Sequence, residues 1–213
     1  MEPYERFLEL LSAEDREGAI SHALGLLEQG DVDVVELYEA ILGPALKDMS
    51  SQNFEKKWNI WKEHMRTSIV RTIIECCYPY VAKEQKARSK GEGKGVVVLA
   101  CPSEEYHEIG IRMVADMFTM AGYDAALIGA NTPFSDIVSA VEYFRPKILG
   151  ISATSSFALF AAERVIKKVR ETKSPVTIVV GGVAFESNPS AWKEIGADAH
   201  LSTFKDILAM KGG

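Results

Sequence analysis

The sequence predicts an N-terminal all-α helical bundle followed by an α/β domain with a doubly wound, five-stranded parallel sheet. Three observations predict it. Up to about residue 86, apolar residues recur at the three- and four-residue steps of buried helix faces. From residue 95 onward, short apolar runs rich in β-branched residues alternate with helical runs, which is the pattern of β-α units in series. Between the two lies a polar, basic stretch, 83–94, with two glycines and little to bury, as in a solvated linker. The expected organisation is a bundle over 1–86, a linker over 87–94 and an α/β domain over 95–213.

In the bundle, Phe7, Leu8 and Leu11, then Ile20, Ala23, Leu24 and Leu27, each give one segment a buried stripe. Gly30-Asp31 ends the second segment. Asp33 is placed to cap a third that carries Val34, Leu37, Tyr38, Ile41 and Leu42, and Pro44 starts or bends a further turn. A fourth segment, 54–81, sets Trp58, Trp61, Met65, Ile69 and Ile73 on one face, as in a helix packing on its neighbours. Beyond the linker, strands are expected at 96–100, 124–128, 148–152, 176–180 and 198–201, with helices near 110–121, 133–144, 158–173, 189–195 and 203–210. Each strand is short and apolar because helices cover both faces of such a sheet.

A chain of 213 residues, 47% of them hydrophobic, can bury a substantial core. Its net charge of -6 opposes a phosphate-binding surface, so direct nucleic-acid contact is not expected. Residues Met1 to Arg6 lack the basic start and apolar core of a secretion signal. No apolar run approaches the roughly 18 residues of a membrane span, and the expectation is a cytoplasmic protein without membrane contact. Cys76, Cys77 and Cys101 have no metal-finger spacing, and the adjacent pair would make a strained disulfide, so all three read as reduced thiols. Gly91-x-Gly93 precedes its strand and lacks the third glycine of a dinucleotide loop. With no Gly-x-Ser-x-Gly elbow and no paired catalytic carboxylates, a stand-alone hydrolase or dehydrogenase is not expected, and no catalytic residue is assigned.

Three groups fall at carboxyl ends of predicted strands, where open α/β sheets bind ligands. They are His107 after the first strand, Ser152 and Thr154 after the third, and Gly181-Gly182 after the fourth. Glu105 stands two residues before His107, where a carboxylate can accept the second ring N–H, fix the tautomer and raise the basicity of the other nitrogen. Glycines let a ligand approach the backbone, and the hydroxyls supply hydrogen bonds. Each part also has an ordinary structural explanation. His107 and Glu105 suit a solvated turn, Ser152 or Thr154 could cap the helix beginning near Ala158, and Gly181-Gly182 could be a tight turn. Trp58 and Trp61 suit core packing, Glu63-His64 a solvated helix face, and His22 and His200 surface or structural positions.

Taken in order, Glu105-x-His107-x-x-Gly110, Ser152-x-Thr154 and Gly181-Gly182 resemble the signature of the cobalamin-binding domain. Its usual form is Asp-x-His-x-x-Gly, then Ser-x-Leu or Ser-x-Thr, then Gly-Gly, and the spacings fit. Phe185, Pro189 and Gly196-Ala197-Asp198-Ala199 resemble the tail of that domain. The helical segment resembles the bundle that caps the cofactor in methionine synthase, corrinoid methyl carriers and light-responsive cobalamin repressors, so the resemblance covers nearly the whole chain. It implies a flavodoxin-like or Rossmann-like domain that binds cobalamin with the cofactor's own base off the metal. His107 would then be the lower cobalt ligand, held by Glu105. Ser152 and Thr154 would lie near the displaced base, and Gly181-Gly182 would let the nucleotide tail pass.

Two departures bear on the role. The usual aspartate is Glu105, one methylene longer, and Glu108 follows His107 where methyl carriers tend to have aspartate. Glu-x-His-Glu-x-Gly is closer to the light-responsive regulators. Glu63-His64 resembles the pair above the corrin in that group, although Asn53 stands where the group has a tryptophan, with Trp58 and Trp61 nearby. These features tilt the expectation toward a regulatory or photoreceptor module, carrying adenosylcobalamin or methylcobalamin and acting through a partner or a homo-oligomer. The alternative is a methyl carrier, the corrinoid component of a methyltransferase system, which suits a layout with no DNA-binding or signalling segment.

Overall fold

The computed structural model describes residues 2–51, 60–88, 93–188 and 190–210. They form two compact units, Met1–Lys83 and Glu84–Gly213.

The first unit is helical: α1 (Pro3–Ser12), α2 (Arg16–Gln29), α3 (Val34–Glu36), a π-helical turn over Leu37–Leu42, α4 (Gly43–Ser51) and most of α5 (Ile60–Arg88). Gly30 ends α2 in the left-handed conformation, with φ 76. Asp33 caps α3 in a full capping box, its carboxylate accepting from the Glu36 amide at 2.8 Å while Glu36 accepts from the Asp33 amide at 3.0 Å. The π-helical turn is not readable from the sequence. It keeps Leu37, Tyr38, Ile41 and Leu42 all buried. On α5, Ile69, Val70, Ile73, Ile74, Cys77 and Val81 are buried, as the spacing predicts for Ile69 and Ile73. Trp61 and Met65 differ from that expectation, at 56% and 45% exposed. Helix α5 also continues past residue 81, because Glu84, Gln85, Lys86, Ala87 and Arg88 are good helix formers and Arg88 pairs with Glu84 at 3.4 Å.

The second unit holds β1 (Val96–Pro102), α6 (Ile109–Met120), β2 (Asp124–Thr132), α7 (Phe134–Phe144), β3 (Ile148–Ser152), α8 (Ser156–Glu171), β4 (Thr177–Gly181), α9 (Val183–Ser187), α10 (Ala191–Glu194), β5 (Ala199–His200) and α11 (Phe204–Ala209). All strand pairs are parallel, in the order β2-β1-β3-β4-β5. This is the flavodoxin-like order, in which the chain reverses direction across the sheet between β1 and β3 and leaves a crevice at their carboxyl ends.

Alternation along the strands divides the core. Val98, Ala100, Leu149, Ile151, Ile178 and Val180 pack with α7 and α8 through Ile137, Val141, Val165, Ile166 and Val169. Helices α6 and α11 pack together, with Met117, Phe118 and Ile207 buried. Burying each Val, Ile or Phe side chain contributes roughly 1.5–3 kcal/mol, so the layers on the sheet fix the strand ends firmly. No helix among the described residues is long and apolar enough to cross a membrane.

Candidate functional site

Strand β1 ends at Pro102, and α6 does not begin until Ile109. The intervening loop turns at once, the Glu105 amide donating to the Pro102 carbonyl at 3.0 Å, with Glu104 at φ 66. Its two functional side chains then part. Glu105 is 1% exposed, the one buried charged residue among those described, while the His107 side chain stands 65% exposed.

The Glu105 carboxylate is surrounded by donors. Its Oε1 accepts from the His107 amide at 2.9 Å and lies 2.6 Å from His107 Nδ1. Its Oε2 accepts from the Thr154 amide and the Thr154 hydroxyl, both at 2.7 Å. Burial alone would raise the pKa of this carboxyl, but the hydrogen bonds from His107 and Thr154 outweigh burial and lower it from 4.5 to about 2. An ionised carboxylate only accepts, so Nδ1 carries the proton and the lone pair of a neutral ring resides on Nε2. Thr154 Oγ1 lies 3.0 Å from Nδ1 and closes the three-residue cluster. The structure thus brings Glu105, His107 and Thr154 together across the β1/β3 switch point.

The remaining predicted residues have distinct settings. Ser152 pairs in register with Gly181 and hydrogen-bonds the Cys101 thiol. That thiol is fully buried, and its pKa is pushed up from 9.0 to about 12, first by burial and then by the charges of Glu105 and Glu108. Neither Ser152 nor Thr154 caps α8. Ser155 does, its hydroxyl accepting from the Ala158 amide at 3.1 Å. Gly110 is exposed in the first turn of α6, and a Cβ there would meet nothing within 4 Å. Gly182 has a different reason to be glycine: φ is 105, and a Cβ would collide with the Ala153 carbonyl. Glu63 and His64 lie on α5 with Trp61, in the helical unit, His64 exposed. Asn53 and Trp58 lie outside the described residues. His22 Nε2 is 2.9 Å from the Pro3 carbonyl, and His200 stacks 5.6 Å from Phe185, both structural settings.

Glu108 is legible in the sequence as part of the motif, whereas Asn131 and Tyr123 are not. Glu108 accepts from Arg112 Nε at 3.2 Å, Arg112 Nη2 at 3.1 Å and the Ala130 amide at 3.3 Å. Asn131 accepts from the Glu104 amide at 2.9 Å. Tyr123 lines a cavity of about 470 Å³ along the α11 side of the sheet, together with Lys147, Thr177, His200, Leu201 and Asp206. Among the described residues, the Tyr123 hydroxyl is buried without a hydrogen-bond partner. The only sequence signal for Asn131 and Tyr123 is a place at one end of a strand.

Fold and site together define an α/β ligand-binding module of the flavodoxin-like kind, with a carboxylate-backed histidine at its switch point. The chain belongs to the B12 binding domain family, which matches residues 95–209, and its cofactor is accordingly a corrinoid. Among its relatives, the trimethylamine corrinoid protein 1 of Methanosarcina acetivorans is 24% identical over 208 residues, covering 95% of this chain and 89% of that protein. The HTH-type transcriptional repressor CarA of Myxococcus xanthus is 24% identical over 179 residues, 84% of this chain but only 58% of the repressor. The fold matches the monomethylamine corrinoid protein of Methanosarcina barkeri with a TM-score of 0.83 and 17% identity, covering 97% of this chain and 95% of that one. The residues present fit a corrinoid. One imidazole suits a metal that brings its other ligands with it, and Gly110 leaves open space beside that imidazole's loop.

Proposed function

We propose that this chain is a corrinoid carrier that holds cobalamin with the cofactor's own base off the metal and His107 Nε2 as the lower cobalt ligand. The carrying observation is the Glu105–His107–Thr154 cluster, in which Glu105 accepts from Nδ1–H and so leaves the basic nitrogen facing away from the buried carboxylate. When bound, the corrinoid supplies a cobalt centre at which a methyl or adenosyl group is attached and released. Glu105 raises the basicity of the ring, and Thr154 keeps Glu105 ionised. Ser152, Gly181 and Gly182 border the path of the nucleotide tail, and Gly110 leaves room for the macrocycle. By resemblance, residues 1–86 serve as the cap, with Asn53, Trp58, Trp61, Glu63 and His64 as its cofactor-facing candidates, and 95–213 as the corrinoid domain. The partner is a methyltransferase. In support, the match to the trimethylamine corrinoid protein runs nearly the whole length of both proteins.

A light-responsive regulatory role is the second reading. It is favoured by Glu63-His64 on α5, by Glu108 after His107 and by the likeness to the repressor.

Ligation is tested by electron paramagnetic resonance of the reduced, cobalamin-loaded chain. The axial-nitrogen splitting should change when histidine is labelled with nitrogen-15, and His107→Ala should abolish that change. A splitting indifferent to the label would mean that the cofactor keeps its own base. The two roles separate on illumination of the loaded chain. A carrier transfers its methyl group to a methyltransferase, whereas a sensor changes assembly or partner binding with light.

A further inference from the structure

The loop that carries His107 is fastened to the end of β2 by backbone as well as side chains. Glu104, in the loop, and Asn131, near the end of β2, both hold left-handed backbones, with φ 66 and φ 49. Few non-glycine residues adopt this conformation, and asparagine tolerates it best. The Glu104 amide donates to Asn131 Oδ1 at 2.9 Å, and the Asn131 amide donates back to the Glu105 carbonyl at 2.8 Å. Beside them, the Ala130 amide donates to Glu108 Oε2 at 3.3 Å. Strand β2 is irregular just before this point. Its register with β1 slips between Leu99 and Ala100 and again between Ala100 and Pro102, with Gly129 at φ 93. Such bulges re-aim the residues that follow them. Here the irregular end turns Asn131 toward the β1 loop.

We propose that Asn131 is a positioning residue for His107. Its amide oxygen holds Glu104 in the turn, so that Glu105 enters the core and the imidazole two residues on is presented outward in one orientation. This rests on His107 being the lower ligand, and the same clasp would act before any cofactor arrives.

Two substitutions at one site separate the acceptor from the backbone shape. Asn131→Gly keeps the left-handed conformation but removes the acceptor, and Asn131→Asp keeps both. In the cofactor-free full chain, Asn131→Gly should speed amide hydrogen exchange at Glu104 and His107 roughly tenfold, with the thermal midpoint near that of the unaltered chain. In the cobalamin-loaded chain it should lower the fraction showing the histidine-nitrogen splitting, and Asn131→Asp should restore both readouts. Unaltered exchange and splitting in Asn131→Gly would overturn the proposal, as would faster exchange confined to 129–132. His107→Ala separates the two ideas. If it leaves the splitting unchanged, the ligand reading falls and the positioning role falls with it. If His107→Ala removes the splitting but Asn131→Gly does not lower it, only the positioning role falls.

Discussion

Glu105 Oε2 accepts the Thr154 hydroxyl at 2.7 Å, and this bond joins the loop after β1 to the loop after β3 across the point where the sheet reverses its winding. The lower-ligand candidate is therefore supported from two strands through one carboxylate.

Removing either partner should be measurable in the cofactor-free chain. Thr154→Val deletes a donor to a buried charge while keeping shape, and should cost about 1–3 kcal/mol in urea unfolding. Thr154→Ser should recover most of it. Glu105→Ala removes the acceptor of four hydrogen bonds and should cost on the order of 3 kcal/mol.

The Cys101 thiol predicts an alkaline limit to stability. Its folded pKa of about 12 lies above the ordinary 9.0, so the folded state binds the proton more tightly. That contribution is complete below pH 9 and is lost as pH rises toward 12, on the order of 4 kcal/mol in all. Cys101→Ala should flatten the alkaline limb of a stability profile. At pH 9, iodoacetamide should modify the exposed Cys76 and spare Cys101.

The two glycine motifs should respond oppositely to alanine. Gly110→Ala meets open space on a helix and should stabilise the cofactor-free chain by roughly 0.4–1 kcal/mol, while weakening cobalamin binding if the macrocycle lies there. Gly182→Ala imposes a side chain at φ 105 against Ala153 and should destabilise by about 2–4 kcal/mol. Thermal unfolding with and without cobalamin checks both.

Ser155→Ala should cost about 1 kcal/mol by removing the cap of α8, whereas Ser152→Ala should leave the helix cap intact. Chemical denaturation of the two single variants compares them directly.

Much of the α/β unit was legible because period and turn chemistry agree: the runs expected at 148–152 and 110–121 are β3 and, within a residue, α6. Strand β2 runs past the expected end at 128 to Thr132, because its register slips and Gly129 continues the pairing, which apolar alternation cannot reveal. Glu105, His107 and Thr154 were legible as a motif, but the depth of Glu105 was not, since its burial depends on a loop distant in sequence. Asn131 has no motif around it, only a place near the end of a strand. Its hydrogen bonds to Glu104 and Glu105 arise where the end of β2 meets the loop after β1, not from any pattern around it. The polar residues 84–88 suit both a linker and a helix, and their strong helix propensity, with a charge pair one turn apart, decided for the helix.

That Ser155 rather than Thr154 caps α8 divides labour between neighbours. One hydroxyl keeps the helix and the next one back keeps the carboxylate behind the imidazole. Changes at position 154 therefore act on the carboxylate behind His107 while leaving the α8 cap in place, and changes at position 155 act on the cap while leaving that carboxylate its donors.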